Sequence, residues 1–162
     1  MGQKTHPTGF RIGVNKAQSS TWFANYSTFS EVLKEDYQIR NLFEKEFSAL
    51  YDKAGIAKLD IKRKVNQLEL LIYAARPKPI AAGSAGENII LKFQAKLKNL
   101  FKGSKQIRIK VLQINKSENE STLVARALAD QLEKRVAFRK AIRQTTQKLQ
   151  KSGVKGFKIQ VS

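Results

Sequence analysis

The sequence predicts an α+β protein in three parts: a basic arm over residues 1–29, a central α-β-β-α-α-β unit over 30–115, and an incomplete α/β lobe of helices plus one strand over 116–162. Three observations point there. Apolar residues recur at spacings of three and four in the long segments, as amphipathic helices require. Between them apolar and charged residues alternate strictly, the period of a half-buried strand. Glycine and proline clusters mark the places where the period changes.

The arm mixes Gly2, Pro7, Gly9 and Gly13 with Lys4, Arg11 and Lys16 and has no sustained period, so it is expected to become ordered against a partner. Trp22 and Phe23 weigh against a frayed tail, because free tails seldom carry large apolar groups. Ser30 is the candidate N-cap of a helix running to about Lys53, with Ile39, Leu42, Phe43, Phe47 and Leu50 on one face and Gly55 as its stop. Ala57, Leu59, Ile61 and Val65 then alternate with Lys58, Asp60, Lys62 and Lys64 in a strand. Asn66-Gln67 is a plausible tight turn into a second strand carrying Leu68, Leu70, Ile72 and Ala74, which makes a hairpin.

Arg76-Pro77-Lys78-Pro79 ends that strand, since two prolines cannot sit in a central ladder. A short helical turn is expected over Ile80 to Ala82. The loop Gly83-Ser84-Ala85-Gly86 follows, directly before a helix with Ile89, Ile90, Phe93, Leu97, Leu100 and Phe101 inside and Lys92, Lys96, Lys98 and Lys102 outside. Gly103-Ser104 breaks this helix, and Ile107, Ile109 and Val111 alternate with Arg108 and Lys110 in a third strand. Ser117 and Glu120 have capping-box spacing. Helical pattern runs on to Lys151, with Leu128 and Leu132 in its first part and Phe138, Ile142 and Leu149 in its second. Gly153 stops it, and Val154 to Val161 reads as a final strand with Phe157, Ile159 and Val161 on one side.

Charge narrows the function. The 162 residues include 31 Lys and Arg against 13 Asp and Glu, a net charge of +18. An excess of this size repels itself unless something neutralises it, and nucleic acid is the usual partner. The charge is uneven: residues 1–30 carry +3, 31–54 carry −2, 55–120 carry +9 and 121–162 carry +8. One acidic helix thus precedes two basic lobes.

Other classes find little support. No apolar run approaches the roughly 20 residues that span a bilayer, and MGQKTHPTGF lacks the apolar core of a secretory signal. The opening Met-Gly is not followed by Ser or Thr at position 6, where His6 stands, so myristoylation is not indicated. There is no Cys, and His6 alone cannot make a zinc site. Neither a Walker loop nor a Rossmann fingerprint occurs, and Asp52, Asp60 and Glu69 have no spacing suited to paired acid–base work. We expect no enzyme, cofactor, metal, membrane or small-molecule substrate.

Two constellations carry the chemistry. A Gly-x-x-Gly loop between a Pro-terminated strand and an amphipathic helix, in this element order, resembles the type II KH domain. In that module the loop clamps about four nucleotides of a single strand through its backbone, and glycine lets the sugar-phosphate approach. Family loops usually place Lys or Arg between the glycines, whereas Ser84 and Ala85 stand here. Gly83, Ser84, Ala85 and Gly86 therefore read either as a working clamp or as a scaffold loop. Lys4, Arg11, Lys62, Arg63, Lys64, Lys78, Arg108, Lys110, Lys134 and Arg135 are the further candidate RNA contacts.

The second constellation runs from Gln131 to Arg143. Arg135, Arg139 and Arg143 recur every four residues, which on one continuous helix would make a ridge about 12 Å long. Lys140, Gln144, Lys148 and Lys151 lie beside them, and residues 134–158 contain no acid. Ordinary solvated faces mix signs, so a phosphate partner is the better reading.

The first thirteen residues, Met1 to Gly13, are similar to the opening of the small-subunit ribosomal protein three family in its bacterial and plastid form. The block Gln131 to Arg143 and the ending Gly153-Val154-Lys155-Gly156-Phe157-Lys158-Ile159-Gln160-Val161-Ser162 resemble two further hallmarks of that family. The resemblance implies binding to small-subunit ribosomal RNA in the subunit head, contact with neighbouring small-subunit ribosomal proteins, and a share in the mRNA entrance channel through Arg139, Lys140 and Arg143. It also implies separation of mRNA strands by electrostatic holding, without a bound nucleotide. Trp22-Phe23-Ala24 is similar to plastid and cyanobacterial forms, and Lys outnumbers Arg 22 to 9, which fits an AT-rich genome. A chloroplast (plastid) ribosome is the expected location, with a bacterial cytoplasm as the alternative; a plastid-encoded member needs no transit peptide. Family members usually continue past Ser162, so the C-terminal lobe is expected to need a partner segment. The rival is a free-standing KH-type assembly factor, which has no reason to carry the N-terminal block. A DNA-compacting or membrane-surface protein would suit the charge but not the element order.

Overall fold

The structure, a computed structural model, describes residues 3–81, 84–101 and 105–161, and the side chains of residues 81 and 84–88 lie outside that description. The arm holds a short helix α1 (Pro7–Arg11), with proline at its start and His6 Nδ1 accepting from the Gly9 N–H at 3.1 Å. It then enters a two-residue strand β1 (Ser20–Thr21). Helix α2 (Phe29–Phe47) follows, with Thr28 and not Ser30 at its N-cap. The expected single helix to Lys53 is interrupted by a 3₁₀ turn at Ser48–Leu50 before a last turn α3 (Tyr51–Ala54). Gly55 ends it at φ 61°, where its N–H donates to the Tyr51 carbonyl at 2.9 Å. A Cβ there would stand 3.1 Å from the Ala75 methyl, so glycine answers both conformation and space.

The central order is as expected: after α2 come β2 (Ile56–Arg63), β3 (Gln67–Ala74), α4 (Lys78–Ala81), α5 (Ser84–Leu100) and β4 (Gln106–Gln113). The sheet runs β1-β2-β3-β4. β2 and β3 are an antiparallel hairpin, whereas β3 and β4 are parallel, the pairing that a helical crossover such as α4–α5 permits. β1 pairs in parallel with β2 and was not foreseen, because two residues carry no readable period.

One face of the sheet holds the core. Leu59 and Ile61 of β2, Leu68, Leu70, Ile72 and Ala74 of β3 and Ile107 of β4 lie under Ile39, Phe43 and Phe47 of α2 and Phe93 and Leu97 of α5. Phe43 stacks on Phe47 at 4.6 Å between centroids, and Phe93 meets Phe47 edge-on at 5.4 Å. Such pairs add about 0.5–1.5 kcal/mol each beyond their burial. A bulge between Ile56 and Lys58 turns Ile56 inward in place of Ala57, and Val65 sits in the hairpin turn, 93% exposed.

The same parity carries Arg63 inward. It ion-pairs with Glu35 and lies 3.9 Å from Asp36, with its guanidinium 5.9 Å from the Phe101 ring centroid. Lys105 bonds Glu35 at 2.8 Å, Ser20 donates to Asp36 at 2.8 Å, and Arg40 reaches Asp36, the Ser20 hydroxyl and the carbonyls of Ser19 and Leu59. This network ties β1, and with it the arm, to α2 and the sheet.

Beyond β4 the helical run divides. Ser117–Asn119 forms a 3₁₀ turn, so the expected capping box does not form; α6 (Ser121–Glu133) starts from Glu120 with no side-chain cap. The chain breaks at Lys134 to Ala137 and resumes as α7 (Phe138–Lys151). Arg126 fastens α6 to the core, donating to the Ile56 carbonyl at 3.3 Å with its guanidinium 4.0 Å from the Tyr51 ring centroid. The inward face of α7 is Ala141, Thr145 and Leu149 rather than one led by Phe138, which stands at the helix start and is 56% exposed. The buried Thr145 hydroxyl donates to the Ala141 carbonyl at 2.9 Å. Residues 154–161 form no strand: their alternation is present, but among the described residues no neighbouring strand offers a ladder.

Burial pushes the Glu35 carboxyl up, but hydrogen bonds and charges from Lys105 and Arg63 outweigh it and hold the group below its ordinary value of 4.5. A depressed carboxylate contributes stability that is complete above its unfolded value and is lost as pH falls through the folded one. Thermal melts should therefore weaken below about pH 4.5. Glu35→Gln should cost about 1–3 kcal/mol at neutral pH and flatten that acid limb; an unchanged limb would remove Glu35 from the account.

Candidate nucleic-acid interface

The first surface is built by a helix stop. At the end of α6 the Val136 N–H donates to the Gln131 carbonyl at 3.1 Å and the Arg135 N–H to the Leu132 carbonyl at 2.9 Å. These are the two bonds of a Schellman motif, which puts its C′ residue in the left-handed region. The end of α7 repeats it: Val154 bonds Leu149, Gly153 bonds Gln150, and Gly153 has φ 77°. At the first stop the left-handed residue is Arg135, φ 58°, the only described non-glycine residue with positive φ.

The break cancels the continuous ridge expected from Arg135 to Arg143. Arg139, Lys140 and Arg143 remain together on the first turns of α7, exposed, with Arg139 5.7 Å from the Phe138 ring centroid. Lys134 and Arg135 occupy the turn before them, also exposed. None of the five makes an ion pair among the described residues, which fits the absence of acids after residue 133.

The sheet gathers a second group. Lys62, Arg108 and Lys110 project from its outer face, opposite the helices, with Lys64 in the hairpin turn beside them. Lys110 bonds Glu69 at 2.5 Å, and Lys58 bonds Asp60 at 3.5 Å while lying 4.4 Å from the Tyr73 ring centroid. Arg63, taken from sequence as an RNA contact, is not at this surface: its side chain is 9% exposed and spent on Glu35 and Asp36. Strand parity held that signal, since Arg63 continues the inward series Leu59, Ile61.

The remaining candidates lie apart. Lys4 and Arg11 are exposed on the arm, where Arg11 donates to the Pro7 carbonyl at 2.8 Å, and Lys78 is exposed at the start of α4. Of the glycine loop, Gly83 falls outside the described residues, and Ser84, Ala85 and Gly86 form the first turn of α5, with their side-chain environment undescribed. A cleft of ≈ 530 Å³ between α3, α6 and α7 has a mixed lining that includes Asp52, Arg76, Arg126 and Asp130. Among the described residues no group of three or more His, Asp or Glu side chains could hold a metal, and no helix is long and apolar enough to cross a membrane.

A mixed α+β core carrying exposed faces rich in Lys and Arg has the character of a nucleic-acid-binding protein, and similarity to known proteins narrows the class to ribosomal components. The small ribosomal subunit protein uS3c of Emiliania huxleyi is 65% identical over 162 residues, all of this chain and 75% of that protein. Its counterpart in Pyropia yezoensis is 45% identical over the same residues, 68% of that protein. The uS3 of the cyanobacterium Trichormus variabilis is 40% identical over 163 residues, and this chain spans 62% of it. No family model matches the chain. The chain belongs to the small ribosomal subunit protein uS3 family, a structural, non-enzymatic family, and its similarity to the uS3c forms places it in the plastid ribosome.

The C′ position is Arg135 in one Schellman stop and Gly153 in the other, and glycine is the better occupant of a left-handed C′ position. Arg135→Gly should raise stability by about 1 kcal/mol, read as a higher melting temperature. A lower melting temperature would mean that the arginine side chain supports the fold.

Proposed function

We propose that this chain binds ribosomal RNA in the head of the small subunit and contributes to the mRNA entrance channel. The observation that carries the reading is the start of α7, where Arg139, Lys140 and Arg143 stand exposed and make no ion pair among the described residues. Guanidinium and ammonium groups on a rigid helix meet phosphates without reading sequence, which suits a channel that passes any message. Strand separation at such a channel needs no nucleotide: cations that hold one backbone oppose its return to the duplex.

Ribosomal RNA contact is assigned to the arm through Lys4 and Arg11, to Lys62, Lys64, Arg108 and Lys110, to Lys78, and to Lys134 and Arg135. The element order α2-β2-β3-α4-α5-β4 supports a KH-type module, and the Gly83–Gly86 segment, of which Ser84 to Gly86 open α5, is its candidate backbone contact. Ser84 and Ala85 add no charge there, so the segment contributes by close approach of its backbone alone. The partners are thus small-subunit ribosomal RNA, mRNA and neighbouring small-subunit proteins.

Neutralising 6–10 phosphates implies an affinity for small-subunit RNA that falls about 10³–10⁵-fold between about 50 and 200 mM salt. Replacing Arg139, Lys140 and Arg143 together by Ala should lower the salt slope by about 3 and weaken mRNA retention at the channel, with melting temperature unchanged. A flat salt response of the unaltered chain would contradict RNA binding; an unaltered slope in the triple variant would remove these residues from the channel.

A further inference from the structure

The helices cover one face of the four-stranded sheet, and the other face carries a row of charge that no single stretch of sequence contains. Register sets Thr21 opposite Lys62, Lys62 opposite Glu69, and Glu69 opposite Arg108, a line crossing all four strands. Neighbouring strands lie about 4.8 Å apart, so Lys62 and Arg108 flank Glu69 at about 10 Å from each other. Lys110 sits one row along, and Lys64 closes the hairpin end. These groups line a shallow pocket of ≈ 300 Å³ that also includes Gln67.

Lys62, Lys64, Arg108 and Lys110 are thus gathered around one carboxylate, which bonds Lys110. Glu69 is held below its ordinary value of 4.5 by the hydrogen bond from Lys110, with further help from the charges of Lys110, Lys62 and Lys64. It can satisfy one of them. Lys62, Lys64 and Arg108 make no ion pair among the described residues, and Asp60, the other acid on this face, is engaged by Lys58.

We propose that the outer face of the sheet, centred on Lys62, Arg108 and Lys110, is a binding site for the phosphate backbone of base-paired RNA, separate from the α7 surface and from the glycine loop. The inference rests on the RNA-binding reading above and adds a second, differently directed surface to it. The occupant follows from the side chains. Single strands are held by aromatic platforms, and the only aromatic ring on this sheet face, Tyr73, is half-buried with Lys58 over it. A flat array of cations with a threonine and a glutamine beside them suits a duplex recognised by shape and backbone. An acidic protein would leave the hydrogen-bonding capacity of Arg108 to carboxylates scattered on a folded surface, whereas a duplex presents phosphates in regular rows.

The test uses the full chain, an RNA duplex of about 16 base pairs, and a single strand of the same length, titrated across salt. Lys62→Gln combined with Arg108→Gln should lower the salt slope for the duplex by about 2, which at about 0.1 M salt is a loss of roughly 60-fold. Glu69→Gln acts on the same face with opposite sign: it removes the only acid of the row and frees Lys110, so duplex affinity should rise. Duplex binding that survives the double substitution overturns the proposal, as does a loss confined to the single strand. Poly-glutamate binding that shows the loss while duplex binding does not would assign the face to an acidic protein, and also overturns it. Should the double variant fail to fold, Glu69→Gln decides: tighter duplex binding supports the site and unchanged binding refutes it. Failure of the unaltered chain to bind any RNA sinks the parent reading instead.

Discussion

Among the described residues, Glu35, Asp36, Glu46, Asp60 and Glu69 are all engaged by cations of the same chain, and that arrangement governs much of the rest. With 13 acids against 31 bases, internal pairing consumes carboxylates first where they hold the fold. Glu35 and Asp36 are the clearest case: placed on successive positions of α2, they gather Arg40, Arg63 and Lys105 and the Ser20 hydroxyl, joining four separate parts of the chain. A buried guanidinium left unpaired is costly, so these acids cannot also serve the surface. The surface keeps the surplus.

The surplus is presented in two ways. On α7 it is local, three cations within five residues at the start of a helix whose opposite side packs through Ala141, Thr145 and Leu149. On the sheet it is assembled by register from strands whose residues are far apart in the chain. The break between α6 and α7 lets α7 depart from the axis of α6, so its basic turns need not follow the direction that one long helix would impose. The device that makes the break puts Arg135 in a backbone conformation better suited to glycine. Both surfaces belong to rigid elements, as the proposed contact with fixed phosphates requires.

Much of this was legible beforehand, for physical reasons that differ by element. The hairpin of β2 and β3 declares itself because a half-buried strand must alternate, and α2 and α5 because a helix over a sheet must repeat at three and four. Gly55 and Gly153 mark helix stops because few other residues take a positive φ cheaply. The break at Lys134 to Ala137 was hidden because its left-handed residue is an arginine, which carries no punctuation signal. β1 was hidden by its length, and the inward turn of Ile56 by a bulge that a strict period cannot anticipate. Residue type alone makes Arg63 a surface cation, whereas its parity with Leu59 and Ile61 points inward. The strand expected at 154–161 shows the converse: alternation states a preference, and a strand exists only where another strand receives its hydrogen bonds.

The central claim is that the faces left unneutralised within the chain are the ones that face RNA. Cross-linking of intact plastid small subunits, with peptide-level identification of RNA adducts, tests it most directly. The account predicts adducts on peptides containing Lys62, Arg108 and the Arg139–Arg143 turn, and few on the acid-rich residues of α2. Adducts concentrated on α2, with none on the outer sheet face or on α7, would contradict it.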